Sequence, residues 1–209
     1  MTIHHSASGG GVVYLVDDEA VVRDALVFLL GSRGLVVHAF DSGLALLDFL
    51  ARSGTPVQGV FVLDVRMEPM SGLMLHESLL AMGVHNPVLF LSGHGDIPMV
   101  VEALKKGAFD FLEKPYSDNT LVDRIEQALA VEAASRAQNA QSQERQARLA
   151  SLSEREQEVM TRVAAGKLNK VIADELHIAV RTVEVHRARV FAKLGVRSAA
   201  ELAGWLASG

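Results

Sequence analysis

Short apolar, β-branched runs recur along the first 130 residues, at 12–16, 35–40, 60–63, 88–91 and 109–112. Helical patterns fill the intervals, at 19–33, 43–52, 72–82, 97–106 and from 118 onward. Such alternation predicts a parallel sheet with helices on both faces. Right-handed crossovers make it a five-stranded, doubly wound α/β domain. Gly34 and Gly107 mark helix C-termini, and Ser117 or Asp118 can cap the last helix.

From about Asp118 to Leu149 the helical pattern runs on without Gly or Pro. A continuous helix there would be roughly 45 Å long at ~1.5 Å per residue. Past residue 135 it is polar nearly all round, so it reads as a solvent-bridging helix or a flexible linker, with the helix favoured. Four short helical segments follow Ser151. Ser153 and Glu156 form a capping box opening 154–165, which Gly166 ends. Asn169 is expected to cap 170–176, and His177-Ile178-Ala179 forms a tight connection. The next helix is 180–194, ended by Gly195, and Ser198 caps 199–207.

Composition narrows the class without naming it. A chain of 209 residues, 49% hydrophobic, has ample material for a core in one or two domains. It has no cysteine, so disulfides and thiolate metal sites are excluded. No apolar stretch reaches the roughly 20 residues that span a bilayer, and a cytoplasmic protein without membrane contact is expected. Residues 1–11 lack the pattern of a signal peptide and read as a disordered tail. The net charge of −5 is unevenly spread. Residues 1–130 carry 8 Lys and Arg against 16 Asp and Glu, whereas residues 151–209 carry 9 against 7. Only the C-terminal part can favour a polyanion, and there the placement of charge must carry the argument.

The candidate chemistry lies where apolar runs end. Asp17 and Asp18 close the first run, Asp64 the third and Ser92 the fourth; Lys114-Pro115 follows the fifth. Strand C-termini of a parallel sheet share one edge, where ligands bind. Carboxylates gathered there repel one another and need a cation; oxygen ligands without His or Cys favour Mg²⁺. Lys114 would neutralise an incoming phosphoryl group, a carboxylate could accept it as an acyl phosphate, and Ser92 could hydrogen-bond its oxygens. Taken singly, each acid could be an ordinary solvated loop residue. Five suitable residues at four strand ends make that reading hard to sustain.

Here the chain closely resembles the receiver domains of two-component response regulators. The matching stretches are Val16-Asp17-Asp18-Glu19, Leu63-Asp64-Val65-Arg66-Met67, Met70-Ser71-Gly72, Leu91-Ser92-Gly93-His94-Gly95-Asp96 and Phe111-Leu112-Glu113-Lys114-Pro115. Residues 93–103 and 106–108 resemble the FixJ branch of the NarL/FixJ family. The resemblance implies a flavodoxin-like sheet of order 2-1-3-4-5 over residues 12–130. It implies Asp64 as phosphoacceptor from a sensor histidine kinase, and Mg²⁺ at Asp17, Asp18, Asp64 and the backbone carbonyl of Arg66. Ser92 and Phe111 take the places of the switch residues. One departure stands out: the order is Met67-Glu68-Pro69, with Pro shifted one place and an extra carboxylate. That carboxylate either alters loop and metal affinity or simply faces solvent.

In 180–194, Val183, Val190 and Leu194, with His186, form an apolar stripe. The opposite face carries Arg181, Thr182, Glu184, Val185, Ala188 and Arg189, flanked by Arg187 and Lys193. That suits a helix-turn-helix reader: Arg and Lys hold phosphates, Glu184 accepts from cytosine, and Val185 or Ala188 touches a thymine methyl. Lys170, near a helix N-terminus, can meet phosphate too. A helical bundle with a solvated charged face would share this spacing. Yet 151–207 resembles the LuxR-type helix-turn-helix, through Leu152-Ser153-Glu154-Arg155-Glu156, Gly166-Lys167-Leu168-Asn169-Lys170 and Arg181-Thr182-Val183-Glu184-Val185-His186-Arg187. His38, His76, His85 and His177 have no metal-ligand spacing and read as surface or packing residues.

The expected protein is a phosphorylation-controlled DNA-binding regulator. It comprises a 1–11 tail, a 12–130 receiver, a 131–150 helical linker and a 151–209 reader of double-stranded DNA. It becomes a homodimer on phosphorylation, through a face including Val100, Val101, Leu104 and Lys105, with RNA polymerase among the partners such a regulator can meet. It is no turnover enzyme: self-phosphotransfer and slow autodephosphorylation are its only chemistry. A phosphatase or phosphotransferase on a similar sheet is the alternative of another class.

Overall fold

The computed structural model describes residues 2–4, 10–54, 57–93 and 97–207. They form two compact units, Met1–Arg136 and Ala137–Gly209. In the first, the strands are β1 (Thr2–His4), β2 (Val12–Val16), β3 (Val36–Phe40), β4 (Val60–Asp64), β5 (Val88–Ser92) and β6 (Asp110–Glu113). The helices are α1 (Ala20–Ser32), α2 (Gly43–Ser53), α3 (Gly72–Ala81), α4 (Ile97–Lys105) and α5 (Asp118–Ala150). The sheet order is β1-β3-β2-β4-β5-β6, and β2 to β6 are all parallel. Leaving β1 aside, this is the expected 2-1-3-4-5 order.

Side chains alternate across each strand, so a strand apolar throughout buries both faces. Val13, Leu15, Val60, Val62, Leu89 and Leu91 pack with Leu26 and Leu30 of α1 and Leu121 and Ile125 of α5. Tyr14, Val16, Phe61, Leu63 and Phe90 pack on the other side with Leu46 of α2, Leu75 and Leu79 of α3 and Ala103 of α4. Two glycines permit close approaches. At Gly59, φ is +110 and a Cβ would lie 2.2 Å from the Val12 carbonyl oxygen. At Gly72 a Cβ would lie 2.2 Å from the Asp64 carbonyl oxygen, so its absence lets α3 start against the end of β4.

The N-terminus departs from expectation. Thr2–His4, placed in a disordered tail by composition, forms β1 and pairs antiparallel with β3 in the register Thr2↔Ala39, Ile3↔His38, His4↔Val37. Strand β3 would otherwise present an unpaired edge, which templates such addition. No helix among the described residues is long and apolar enough to cross a membrane.

In the second unit the end of α5 is followed by α6 (Glu154–Ala164), α7 (Asn169–Leu176), α8 (Val180–Leu194) and α9 (Ala199–Ala207). Their core joins Leu152, Val159, Val163, Ile172, Leu176, Val183, Val190, Leu194 and Leu202. The capping box at Ser153 and Glu156 forms as expected. Asn169 does not cap: α7 has Leu168 at that position and no side-chain cap. Its side-chain oxygen instead accepts from Arg187 Nη1 at 2.9 Å. His177 ends α7 in the left-handed region, at φ 53, the turn expected between the two helices.

Candidate functional site

The C-terminal ends of β2, β4, β5 and β6 bring the acid pocket together. Asp17 is 1% exposed and follows β2; its Oδ1 accepts from Glu19 N at 2.9 Å. Arg23 Nη1 donates to the Asp17 carbonyl at 2.7 Å, a support that sequence reasoning missed. Asp64 ends β4, and its Oδ2 accepts from Arg66 N at 2.8 Å. Lys114 Nζ donates to Asp64 Oδ1 at 2.6 Å and lies 3.6 Å from Asp17 Oδ2. The strand ends therefore join through one amine. The Lys114–Pro115 peptide is cis, as is Glu68–Pro69.

Burial raises the Asp17 carboxyl above its ordinary value, against the lowering pull of Lys114. For Lys114, burial pulls the amine down, but the hydrogen bond and charge of Asp64 and the charge of Asp17 carry it up. The pocket thus holds a buried acid whose charged form burial disfavours even beside a lysine. Among the described residues Asp17 Oδ2 and the fully buried Ser92 Oγ have no hydrogen-bond partner. Buried polar atoms without partners are rare, and these two lie at the sheet edge where ligands bind in parallel sheets.

Asp18, next along the chain from Asp17, is exposed. No cluster of three or more His, Cys, Asp or Glu groups able to hold a metal occurs among the described residues. The donors still suit a hard cation, because Mg²⁺ takes one or two carboxylates and keeps several waters. Phe111 is half-buried against the α2–α4 side of the sheet. Glu68 is exposed and lines a surface cavity of about 380 Å³ with Arg66, Met67, Ser71 and Met99. His94, which sequence places beside Ser92, lies outside the described residues.

The second unit presents a different surface. Val183, Val190 and Leu194 are buried under α8, while Thr182, Glu184, Val185, Ala188 and Arg189 are exposed. Arg181 has 90% of its side chain in solvent, 3.9 Å from Glu184. Lys170 is exposed in the first turn of α7. Arg187 is half-buried, held by Asn169 and lying 5.2 Å from the Phe191 ring centroid. Lys193 differs from the expectation. Its Nζ donates to Glu156 Oε2 at 2.6 Å and to the Ser151 carbonyl at 2.8 Å. Glu156 is 3% exposed, and a buried carboxylate needs a cation, so Lys193 ties α8 to α6.

Comparison with known proteins fits both surfaces. Residues 13–126 match the response regulator receiver domain, and residues 150–206 match the bacterial regulatory proteins of the luxR family. The C4-dicarboxylate transport transcriptional regulatory protein DctR of Rhodobacter capsulatus is 49% identical over 196 residues, 91% of this chain and 96% of that protein. The transcriptional regulatory protein FixJ of Rhizobium meliloti is 44% identical over 186 residues, 89% of this chain and 90% of its own. Among solved structures, the response regulator StyR has a TM-score of 0.87 at 42% identity, covering 95% of this chain and 98% of that one. Full-length FixJ from B. japonicum has 0.58 at 43%, covering 93% and 95%. With a receiver sheet in one unit and a helix-turn-helix in the other, the chain belongs to the NarL/FixJ family of response regulators, transcriptional regulators in which a receiver domain is joined to a LuxR-type DNA-binding domain.

Proposed function

We propose that Asp64 accepts a phosphoryl group from a sensor histidine kinase and that this controls dimerisation and DNA binding. The observation that carries the reading is the Asp64–Lys114–Asp17 constellation beside an unpartnered Ser92 hydroxyl. A carboxylate oxygen of Asp64 forms the bond to phosphorus as the phosphorus–nitrogen bond to the kinase phosphohistidine breaks. Lys114 stays within reach of the new oxygens and Ser92 Oγ donates to one of them. Asp17 and Asp64, with the backbone carbonyl of Arg66 and with Asp18 on the solvent side, would hold Mg²⁺, which supplies charge neutralisation for the transfer. Drawing Ser92 toward the phosphate leaves room into which Phe111 turns.

On the output side, Lys170, Arg181, Arg187 and Arg189 meet DNA phosphates. Thr182, Glu184, Val185 and Ala188 face base edges. Lys193 is a positioning residue. The division of labour is a receiver over 12–130, helix over 131–150 and a reader over 151–209, in a cytoplasmic protein that self-transfers a phosphoryl group and loses it slowly, without turnover. The exposed polar and charged side of α8, in a helical unit separate from the sheet, favours this reading over a phosphatase on a similar sheet. Incubation with acetyl phosphate and Mg²⁺ should add one hydroxylamine-labile phosphoryl group. Intact labelling of Asp64→Asn would overturn the assignment.

A further inference from the structure

Three helix C-termini in the second unit end on cations from a neighbouring element. Arg148 Nη1 donates to the carbonyl of Leu194, the last residue of α8, at 3.2 Å. Its Nη2 is held by Glu144 Oε1 at 2.7 Å. Arg145 Nη2 donates to the carbonyl of Leu206 near the end of α9, also at 3.2 Å, and its guanidinium lies 4.3 Å from the Trp205 ring centroid. The exchange is reciprocal, since Lys193 of α8 donates to the Ser151 carbonyl just past the end of α5. Helix C-termini carry unsatisfied carbonyls and partial negative charge, so each contact answers a local need. Arg148 also packs directly on the α8 stop: a Cβ on Gly195 would lie 3.0 Å from its Nη1.

We infer that Arg145 and Arg148 are positioning residues for the DNA-reading helix, and that the last turns of α5 belong to the DNA-binding unit and are no mere spacer. The inference rests on the proposed role of α8. The compact-unit boundary after Arg136 agrees with it, because residues 137–150 fall in with α6 to α9. Arg148 is not placed as a phosphate contact: one end of its guanidinium is on a carbonyl and another on a carboxylate. Without it the Leu194 carbonyl loses its cationic donor, and the hold that Lys193 keeps on Ser151 and Glu156 must carry the helix end alone. The exposed face of α8 then loses its fixed presentation to the groove.

The test uses the full chain with beryllofluoride and Mg²⁺. A duplex is selected by the wild-type protein from a random-sequence pool. Affinity for that duplex and for the unselected pool is then measured across salt, at a temperature where far-UV circular dichroism shows each variant folded. Arg148→Ala should weaken binding to the selected duplex about two- to fivefold, the range that losing a helix-end charge contact corresponds to. Binding to the unselected pool and the salt slope should stay unchanged. Arg148→Lys should recover part of the loss. Should Arg148→Ala not fold, Arg148→Gln, which keeps a donor but no charge, is judged by the same readings. Unchanged affinity for the selected duplex would overturn the inference. So would a salt slope lower by about 0.9, which would make Arg148 a phosphate contact. A wild-type protein that selects no duplex would overturn the DNA-reading role itself, and this inference with it.

Discussion

Lys114 joins the acid pocket through a single amine shared by Asp64 and Asp17. Its partners were legible in the sequence because each ends an apolar run, and parallel strands end on one edge. His76 was legible only as a packing or surface residue. The structure buries it on α3, edge-on to Phe90 with ring centroids 5.7 Å apart. Burial holds its imidazole below the ordinary 6.5, with Glu77 opposing and Lys106 adding to the effect. The folded state therefore disfavours the charged ring, while the unfolded chain takes up a proton near 6.5. Stability from this group is complete above that pH and is lost as the pH falls below it. Urea unfolding on either side of pH 6.5 should show this loss, and His76→Phe should flatten it. An unchanged pH slope in that variant would remove His76 as the source.

At the scale of the element, α8 shows why charge alone misleads. Arg189 and Lys193 are both exposed cations on one helix, yet Lys193 is committed to Glu156 and Ser151. Arg189→Ala or Lys170→Ala should weaken binding on all DNA sequences and lower the salt slope by roughly 0.9 per lost phosphate contact. Glu184→Ala or Val185→Ala should instead change sequence preference. Lys193→Ala should lower thermal stability and leave the salt slope alone; equal slopes lost at Arg189 and Lys193 would contradict the assignment. The hydrogen bond from Lys193 holds the Glu156 carboxyl below its ordinary 4.5, with the Ser153 backbone N–H assisting. Its contribution is thus present above 4.5 and is lost as the pH falls through the lower, folded value. The stabilities of wild type and Glu156→Gln should converge below that point in denaturant titrations.

For the whole molecule, the prediction is dimerisation. Among the residues expected on the α4 face, Val101 is 41% exposed, Lys105 is exposed in an ion pair with Glu102, and Leu104 is half-buried against the core. Val100 belongs to α4, but its side chain lies outside the described residues. Moving a two-state switch from 1:99 to 99:1 takes about 5.5 kcal/mol of differential binding. Charge-assisted hydrogen bonds from Ser92 and Lys114 to a phosphoryl group, at about 1.5–3 kcal/mol each, are of the right size. Sedimentation with beryllofluoride should show a dimer that the untreated protein lacks. A treated protein that stays monomeric yet binds DNA more tightly would favour release of an inhibitory contact instead.

The sequence by itself determined the elements and the edge where the chemistry gathers. Strands buried on both faces have to be apolar throughout, capping residues favour helix ends, and the C-termini of parallel strands share one edge. Both duties of the chain could be read from those rules and from the family motifs. Only the tertiary structure decided which long side chain meets which partner. Asn169 gives up a cap for Arg187, Lys193 pairs with Glu156, and Arg148 reaches the end of α8. The same holds for Thr2–His4, whose pairing exists only because β3 offers an open edge. A flexible cation has many acceptors within reach along a sequence, and the packing of helices in space selects among them.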